Sequence, residues 1–258
     1  MKRLILQRVV LFFVSLLLLT SCMGEGRNVQ SGWTFGIVRS ESGKKLLDVN
    51  VSDIPFYSYR FKEASDGNCF FITFEIDFDK PENSYENIEK NGYFDISIDV
   101  KEDVPSWPVY STLTSTTNVL PNEVPIVEAI WNGEYLYLNG KFIMHSVMLM
   151  PTDQRMTWDL SYDMDNMLTD DGQRHYNVFL RSAIRGIEGT NSKETFSIVN
   201  AFDMKYYLET VAEKEKELGS SEFIIRFNYP SAIDEDGQIT WDYKDTRDIM
   251  VELIIPKE

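Results

Sequence analysis

Residues 70–78, which read FFITFEIDF, decide the fold class, because large apolar side chains occupy every second position. A β-strand points successive side chains to opposite faces, so this alternation predicts a strand with one buried face and one wetter face. The same period of two recurs in residues 94–101, 222–229 and 249–255. We therefore predict an all-β protein of roughly a dozen strands, enough for a barrel or a sandwich in each of two units.

The turns between these segments predict that most strands pair in antiparallel fashion. Six dipeptides of Asn or Asp followed by Gly punctuate the chain, and such pairs supply the positive φ angles that tight hairpin turns require. The six are Asp66-Gly67, Asn91-Gly92, Asn132-Gly133, Asn139-Gly140, Asp171-Gly172 and Asp236-Gly237.

One segment departs from the period of two. Residues 203–218 (DMKYYLETVAEKEKEL) place apolar side chains at helical spacing, with Asp203 as N-cap and Gly219 as C-terminal stop. They predict one helix, which either covers an end of a β-sandwich or binds a partner. The Pro- and Thr-rich stretch 105–123 predicts a linker between an N-terminal β unit, residues 31–104, and a C-terminal β unit, residues 124–258.

The first 22 residues predict a lipoprotein signal. Three basic residues precede an apolar stretch at 9–19, which at eleven residues is shorter than the roughly 20 of a spanning helix. Leu19-Thr20-Ser21-Cys22 then matches a bacterial lipobox. We expect cleavage of residues 1–21, a diacylglycerol and an N-acyl chain on Cys22, and a tether over residues 22–30. The remaining cysteine, Cys69, lies in an apolar strand and is predicted to be a buried small hydrophobe and not a nucleophile.

Charge and composition exclude several classes of protein. The 258 residues include 25 basic and 41 acidic ones, a net charge of −16 that repels phosphate and disfavours nucleic acid as a partner. Two Cys and two His are too few for a disulfide scaffold, a Cys-rich zinc site or a multi-His centre. We predict no metal site and no cofactor other than the covalent lipid.

No catalytic motif is present, so the sequence predicts a protein that is not an enzyme. Gly-x-Ser-x-Gly, His-Glu-x-x-His and Gly-rich phosphate loops are all missing. His145 shares strand parity with apolar neighbours, which favours a histidine on a sheet, and His175 follows a turn and is predicted to be exposed. Acidic clusters at 163–171 and 234–236 lack EF-hand spacing and are predicted to be solvated turns.

Aromatic residues are the candidate binding groups. They make up 13% of the chain, and exposed rings on β-sandwiches bind sugars by stacking on their apolar faces. The alternative is that these rings belong to the core, since they alternate with aliphatic residues. The candidates are Trp131, Tyr135, Tyr137, Trp158 and Trp241.

Four segments carry a family resemblance. Residues 125–136 (PIVEAIWNGEYL), 145–149 (HSVML), 178–181 (VFLR) and 194–203 (ETFSIVNAFD) resemble the NigD-like lipoproteins. The resemblance implies an N-terminal OB-like barrel over residues 31–104 and a C-terminal β-sandwich over 124–258. It implies no established catalytic residue and suggests a bacteriocin-associated immunity or accessory role.

Together these features predict a lipoprotein anchored in the outer membrane of a diderm bacterium, with a non-catalytic binding or accessory role in the cell envelope. The expected partners are the membrane, through the lipid anchor, and either a glycan or an envelope protein. Three alternatives stay open: a surface glycan-binding module of an uptake system, a fimbrial or adhesin-like subunit, and a bacteriocin-associated accessory protein. The periplasmic and cell-surface sides of the membrane are both open.

Overall fold

The computed structural model describes residues 27–131, 134–151, 155–170, 173–185 and 193–256. The signal peptide and the lipobox lie outside the described residues. Among those described, no helix is long and apolar enough to cross a membrane. The fold is all-β, as predicted, with a barrel followed by two further sheets.

The N-terminal unit is a closed five-stranded barrel with the strand order β1-β2-β3-β5-β4. All its pairs are antiparallel except β3 and β5, which run parallel. The alternating side chains of β4 and β5 fill the interior, as the sequence predicts, with rings such as Phe56, Phe74 and Phe94 in contact. The strands are β1 Val29–Glu41, β2 Lys44–Val49, β3 Ser52–Tyr57, β4 Cys69–Asp77 and β5 Phe94–Val104.

Gly36 allows the barrel to close. At this residue β1 pairs with β4 on one side and begins to pair with β2 on the other. A Cβ at Gly36 would lie 2.4 Å from the Cγ of Leu47 and 2.9 Å from the backbone oxygen of Asp48. Any side chain here would push β1 and β2 apart, because backbone atoms cannot give way as a flexible side chain can.

The C-terminal unit consists of two sheets. One has the order β6-β13-β10-β8, with β9 also pairing with β10, and the other has the order β15-β14-β12-β11-β7, with β16 pairing with β14. The strands are β6 Ser106–Trp107, β7 Val109–Tyr110, β8 Ile126–Glu128, β9 Tyr135–Leu138, β10 Lys141–Pro151, β11 Arg155–Asp170, β12 Gln173–Arg185, β13 Lys193–Asp203, β14 Glu222–Ile233, β15 Ile239–Asp245 and β16 Ile249–Met250.

Both sheets contribute to one apolar core, which makes the unit a sandwich. Phe142 of β10 stacks on Phe227 of β14 with ring centroids 5.4 Å apart, joining the two sheets. The strands pair mainly in antiparallel fashion, but β12 and β14 are parallel neighbours. The sequence did not predict this parallel pair, because alternation shows which face is buried and not which strands are neighbours.

The predicted helix is present as α2, Lys205–Glu217, and it packs against the sandwich core through side chains that include Tyr207, Leu208 and Val211. Its N-cap is Met204, without a side-chain hydrogen bond, so the expected Asp203 cap was wrong. Two short helices were not predicted: α1 at Tyr85–Asn91 and α3 at Val251–Ile254.

The Asn/Asp-Gly pairs serve two different purposes. Asn139 and Gly140 both have positive φ, 47° and 84°, and form the predicted hairpin turn between β9 and β10. Asn91-Gly92 is not a hairpin turn, because Gly92 is the left-handed C-cap of α1. The pairs at 132–133 and 171–172 lie outside the described residues.

The stretch predicted as a linker packs against the sandwich. β6 pairs with β13 and β7 pairs with β11, both in parallel, and Glu123 forms an isolated bridge with Ala183. Short paired strands therefore carry the chain from the barrel into the sandwich.

A buried ion pair fastens α2 to β12. The Glu215 carboxylate is 1% exposed and accepts hydrogen bonds from the Arg174 Nε at 2.6 Å and the Tyr176 hydroxyl at 2.5 Å. Burial raises the pKa of Glu215, but the hydrogen bonds from Arg174 and Tyr176 outweigh burial and hold this pKa below its ordinary value of 4.5.

This network predicts a loss of stability in acid. A carboxyl group whose folded-state pKa is depressed stabilises the fold above its unfolded-state pKa, and that stability is lost as the pH falls through the folded-state pKa. We expect the chain to lose stability as the pH falls below 4.5, the ordinary pKa of this carboxyl group. Glu215→Gln should be less stable at pH 7, and its stability should change less with pH over the same acid range. Urea denaturation of both proteins at several pH values checks this. Parallel curves for the two proteins would contradict the assignment to Glu215.

Candidate functional site

The outer face of one sandwich sheet packs against the barrel. Ile143 of β10 and Ala201 of β13 are buried there against Ile37, Cys69 and Val104 of the barrel. A hydrogen bond of 2.6 Å from the Asn139 amide to the Asp48 carboxylate also joins the two units. Because side chains two positions apart on a strand face the same side, His145 lies on the same outward face of β10 as Ile143.

A row of aromatic rings begins where this contact ends. We call it the aromatic strip and define it as Trp33, Phe35, Phe71, His145 and Trp131. Phe35 of β1 and Phe71 of β4 are register partners with ring centroids 5.3 Å apart. Trp33 lies 6.0 Å from Phe71, His145 lies 6.1 Å from Phe35, and Trp131 lies 6.4 Å from His145, so the strip runs from the barrel onto the sandwich.

The two ends of the aromatic strip are open to solvent. Trp33 is 64% exposed and Trp131 is 42% exposed, while the three rings between them are half-buried. Such exposure of two tryptophans is unusual for residues that serve only a core. Rings of this kind offer flat apolar faces and, in the indole N–H, a hydrogen-bond donor. The strip can therefore hold a ligand with apolar faces and polar edges.

Of the five aromatic residues singled out from the sequence, the structure brings Trp131 into the strip and not the other four. Trp158 is 5% exposed and belongs to the sandwich core, so it is unavailable for binding. Tyr135 stacks on Phe142 with ring centroids 4.7 Å apart, and Tyr137 is half-buried against the same core. Trp241 donates its indole N–H to the Thr116 carbonyl at 3.1 Å and packs edge-on against Phe179.

Sequence reasoning missed Trp33, Phe35 and Phe71 as site residues. Trp33 and Phe35 share strand parity, a signal visible in the sequence. An apolar pair on one face of a strand, however, does not show whether that face meets solvent or packs against another part of the protein. What brings Phe71 and His145 beside them is pairing between β1 and β4 and packing between barrel and sandwich, neither of which the local pattern specifies.

Cys69 and His175, which the sequence also singled out, are both buried. Cys69 is buried at the barrel–sandwich contact, and burial raises the pKa of its thiol to about 12, so it is a small hydrophobe as predicted. His175 is 6% exposed, so the expectation of an exposed residue was wrong. Its Nδ1 lies 3.5 Å from an Asp245 carboxylate oxygen and 3.3 Å from an Arg226 nitrogen.

The acidic cluster at 234–236 forms a turn as predicted, whereas Asp163 and Asp165 lie within strand β11, so the turn expected there was wrong. Asp234 accepts hydrogen bonds from the backbone N–H groups of Asp236 and Gln238 at 3.0 Å and 2.7 Å. Asp163 and Asp165 are exposed, and the side chains of residues 170–171 lie outside the description. Within the described part of the chain, no three His, Cys, Asp or Glu side chains form a group that could hold a metal ion.

One sheet edge bears on the adhesin alternative. Among the described strands, β15 pairs only with β14 and so leaves one edge without a neighbour. It carries Asp242, Lys244 and Asp245, and Lys244 forms an ion pair of 2.9 Å with Glu128. Charged residues on an edge strand oppose the addition of another strand.

Comparison with protein families identifies the barrel. Residues 26–102 match the family model described as a lipoprotein OB domain. The barrel resembles a lipoprotein OB domain. This match confirms, for the N-terminal unit, the predicted resemblance to lipoproteins with an OB-like domain. No curated protein is similar to the chain in sequence.

Solved structures share the architecture of the barrel and the sandwich together. An uncharacterized protein from Parabacteroides merdae has a TM-score of 0.71 at 21% identity, covering 86% of this chain and 99% of that one. A protein from Bacteroides fragilis, described as a candidate lipoprotein, has a TM-score of 0.54 at 9% identity, covering 84% and 97%. A NigD-like immunity protein from Bacteroides caccae covers 85% and 94% at 12% identity, with a TM-score of 0.41. The first two scores establish a shared fold, an OB-like barrel followed by a sandwich.

Proposed function

We propose that this protein is a non-catalytic lipoprotein of the outer membrane whose ectodomain binds a glycan along the aromatic strip. The observation that carries the proposal is the continuous row of rings with an exposed tryptophan at each end, Trp33 and Trp131. The lipobox at Cys22 and the lipoprotein names of the matched family and of the Bacteroides fragilis structure support the lipid anchor.

A glycan fits the aromatic strip better than the other ligand classes. The C–H groups on one face of a sugar ring stack on an aromatic face, while its hydroxyls stay in water. OB folds bind oligonucleotides and oligosaccharides, and the net charge of −16 disfavours the oligonucleotide. The strip also spans two units, which suits an extended chain more than a single small molecule.

Loss of either exposed tryptophan should weaken glycan binding. Each stacked ring contributes about 0.5–1.5 kcal/mol, so we expect Trp33→Ala and Trp131→Ala each to raise the Kd up to about tenfold. The measurement is binding of the purified full-length protein, held in detergent micelles, to an array of bacterial and host glycans.

Tyr206→Ala is the matched control, because Tyr206 is 74% exposed on α2 and lies outside the strip. Its signals should equal those of the unmodified protein. Glycan binding that survives in the Trp33→Ala, Trp131→Ala double variant would refute the strip as the site. Capture of a protein by the strip, with no glycan bound, would instead support the envelope-partner role.

A further inference from the structure

Strand β13 has one side without a neighbouring strand over most of its length. On the other side all its residues, 193–203, pair with β10 without a register shift. On the open side, among the described strands, only β6 pairs with it, at Ala201 and Phe202. The stretch before Ala201 is therefore a free sheet edge.

The backbone groups of this free edge point outward. The Ala201 N–H donates to the Pro105 carbonyl at 2.9 Å, so the backbone at Ala201 faces β6 and not β10. Successive residues of a strand turn their N–H and C=O groups to opposite sides, so those of Thr195, Ser197 and Val199 face the same way as those of Ala201. They form a row of donors and acceptors that another strand can pair with.

The side chains of the free edge do not block a further strand. Residues 195–200 (TFSIVN) carry no charge, whereas charged residues, proline or a bulge normally guard an exposed edge. Thr195 and Ser197 are exposed, and Phe196 and Ile198 are only half-buried although they pack against the sandwich core. A strand added beside β13 would pair the backbone groups and cover the two apolar side chains.

We propose that a second copy of this chain supplies that strand, its own β13, in antiparallel register about a two-fold axis through Ser197. The free edge is self-complementary in this register. Thr195 lies opposite Val199 of the second copy, and Phe196 lies opposite Ile198 of the second copy. Pairs of an aromatic and a β-branched side chain on neighbouring strands are stabilising.

The position of β6 fits this register. Centred on Ser197, the new pairing covers residues 195–199 of both copies and leaves Ala201 with β6. A two-fold contact of this kind is closed, so each free edge is used once and no edge is left for a third copy. This accounts for an edge that carries no protecting charge.

The dimer places both aromatic strips on one side. The two-fold axis of an antiparallel strand pair stands perpendicular to the sheet, so the outward faces of both copies point the same way. His145 of the aromatic strip lies on that face, opposite Val199 in the register of β10 and β13. A ligand with repeated units that reaches both strips binds with higher avidity, but the pairing itself does not depend on what the strips bind.

Cysteine crosslinking in bacterial membranes tests the pairing. In the proposed register the two Ser197 Cα atoms lie about 5.5 Å apart, within reach of a short bismaleimide when both residues are cysteines. We expect full-length Ser197→Cys to give a covalent dimer of twice the mass of the chain. Thr240→Cys is the matched control, because Thr240 is exposed on β15, another edge strand, and should give only monomer.

Charge exchange at Ser197 tests the register. Because Ser197 is exposed, Ser197→Lys and Ser197→Asp should fold with unchanged melting temperatures. In two differently tagged full-length copies, either substitution on both copies places like charges opposite each other and should reduce co-purification about fivefold. One copy with Ser197→Lys and the other with Ser197→Asp should restore it, whereas Thr240→Lys on both copies should change nothing.

The failing results are distinct from failure of the proposed function, since no glycan takes part. Absence of a crosslinked dimer in Ser197→Cys overturns the pairing. A crosslink from Ser197→Cys to a chain of different mass overturns the second copy as occupant and assigns the edge to a strand of another envelope protein. Failure of the mixed pair to recover co-purification overturns the two-fold axis at Ser197.

Discussion

Replacing Arg181 with leucine should lower the free energy of unfolding by about 3–5 kcal/mol, the cost of removing one partner of a buried ion pair. The side chains of Arg181 and Glu123 are both 0% exposed, and the Arg181 Nε donates to a Glu123 carboxylate oxygen at 2.5 Å. The guanidinium also donates to the Asn118 carbonyl at 2.7 Å and to the Ser115 carbonyl. The variant would leave the Glu123 charge buried without its partner and would remove the donor to both carbonyls.

Urea denaturation of the full-length protein in detergent measures this loss, and two further variants sharpen it. Arg155→Leu removes an exposed arginine of β11 and should change stability by less than about 0.5 kcal/mol. The double variant Arg181→Leu, Glu123→Leu should recover part of the loss, because it removes both charges together. A cost below about 1 kcal/mol for Arg181→Leu would contradict the buried pair.

The Arg181 pair also explains how the aromatic strip keeps its shape. The carbonyls of Ser115, Thr116 and Asn118 are all held by side chains of the sandwich, Arg181 or Trp241. The segment between the two units is thereby fixed to the second unit, and the apolar contact around Ile143 fixes the barrel against the same sheet. Trp33 and Trp131 lie on different units, so a strip that joins them requires this rigid junction.

The sequence predicts the elements of this fold better than their contacts. Alternation in β4 and in β14 is a local property, and the interior side chains it indicates are indeed buried. The partners of a strand are set by distant residues, so the parallel β12–β14 pair left no local signal. Residues 111–118 look like a free linker for the same reason, because the arginine that holds them lies more than 60 positions further along the chain.

The candidate site shows the same limit. Trp131 was one of five aromatic candidates chosen for their chemistry, and the structure makes it one end of the strip. Trp158 has the same chemistry but faces the core, since its position in β11 points it inward. Gln30 carries no local signal of burial, and only the closure of the barrel buries its amide oxygen.

Replacing Cys22 with alanine should move the protein from the membrane to the soluble fraction or leave it unprocessed. In the proposed anchor the thiol of Cys22 receives diacylglycerol, and several acyl chains, each contributing about 0.8 kcal/mol per buried CH₂, would hold the protein in the membrane. Membrane fractionation of cells, with mass measurement of the purified chain, checks the anchoring and the lipid together.

Cys69→Ala is the matched control, because it removes the other thiol of the chain and leaves the lipobox intact. Cys69 is 3% exposed in the barrel–sandwich contact, so its loss should lower stability modestly without releasing the protein. A Cys22→Ala chain that still fractionates as a mature membrane protein would refute the anchor. The proposed function would then have to be rebuilt on a secreted protein, since the aromatic strip does not depend on the lipid but its place in the envelope does.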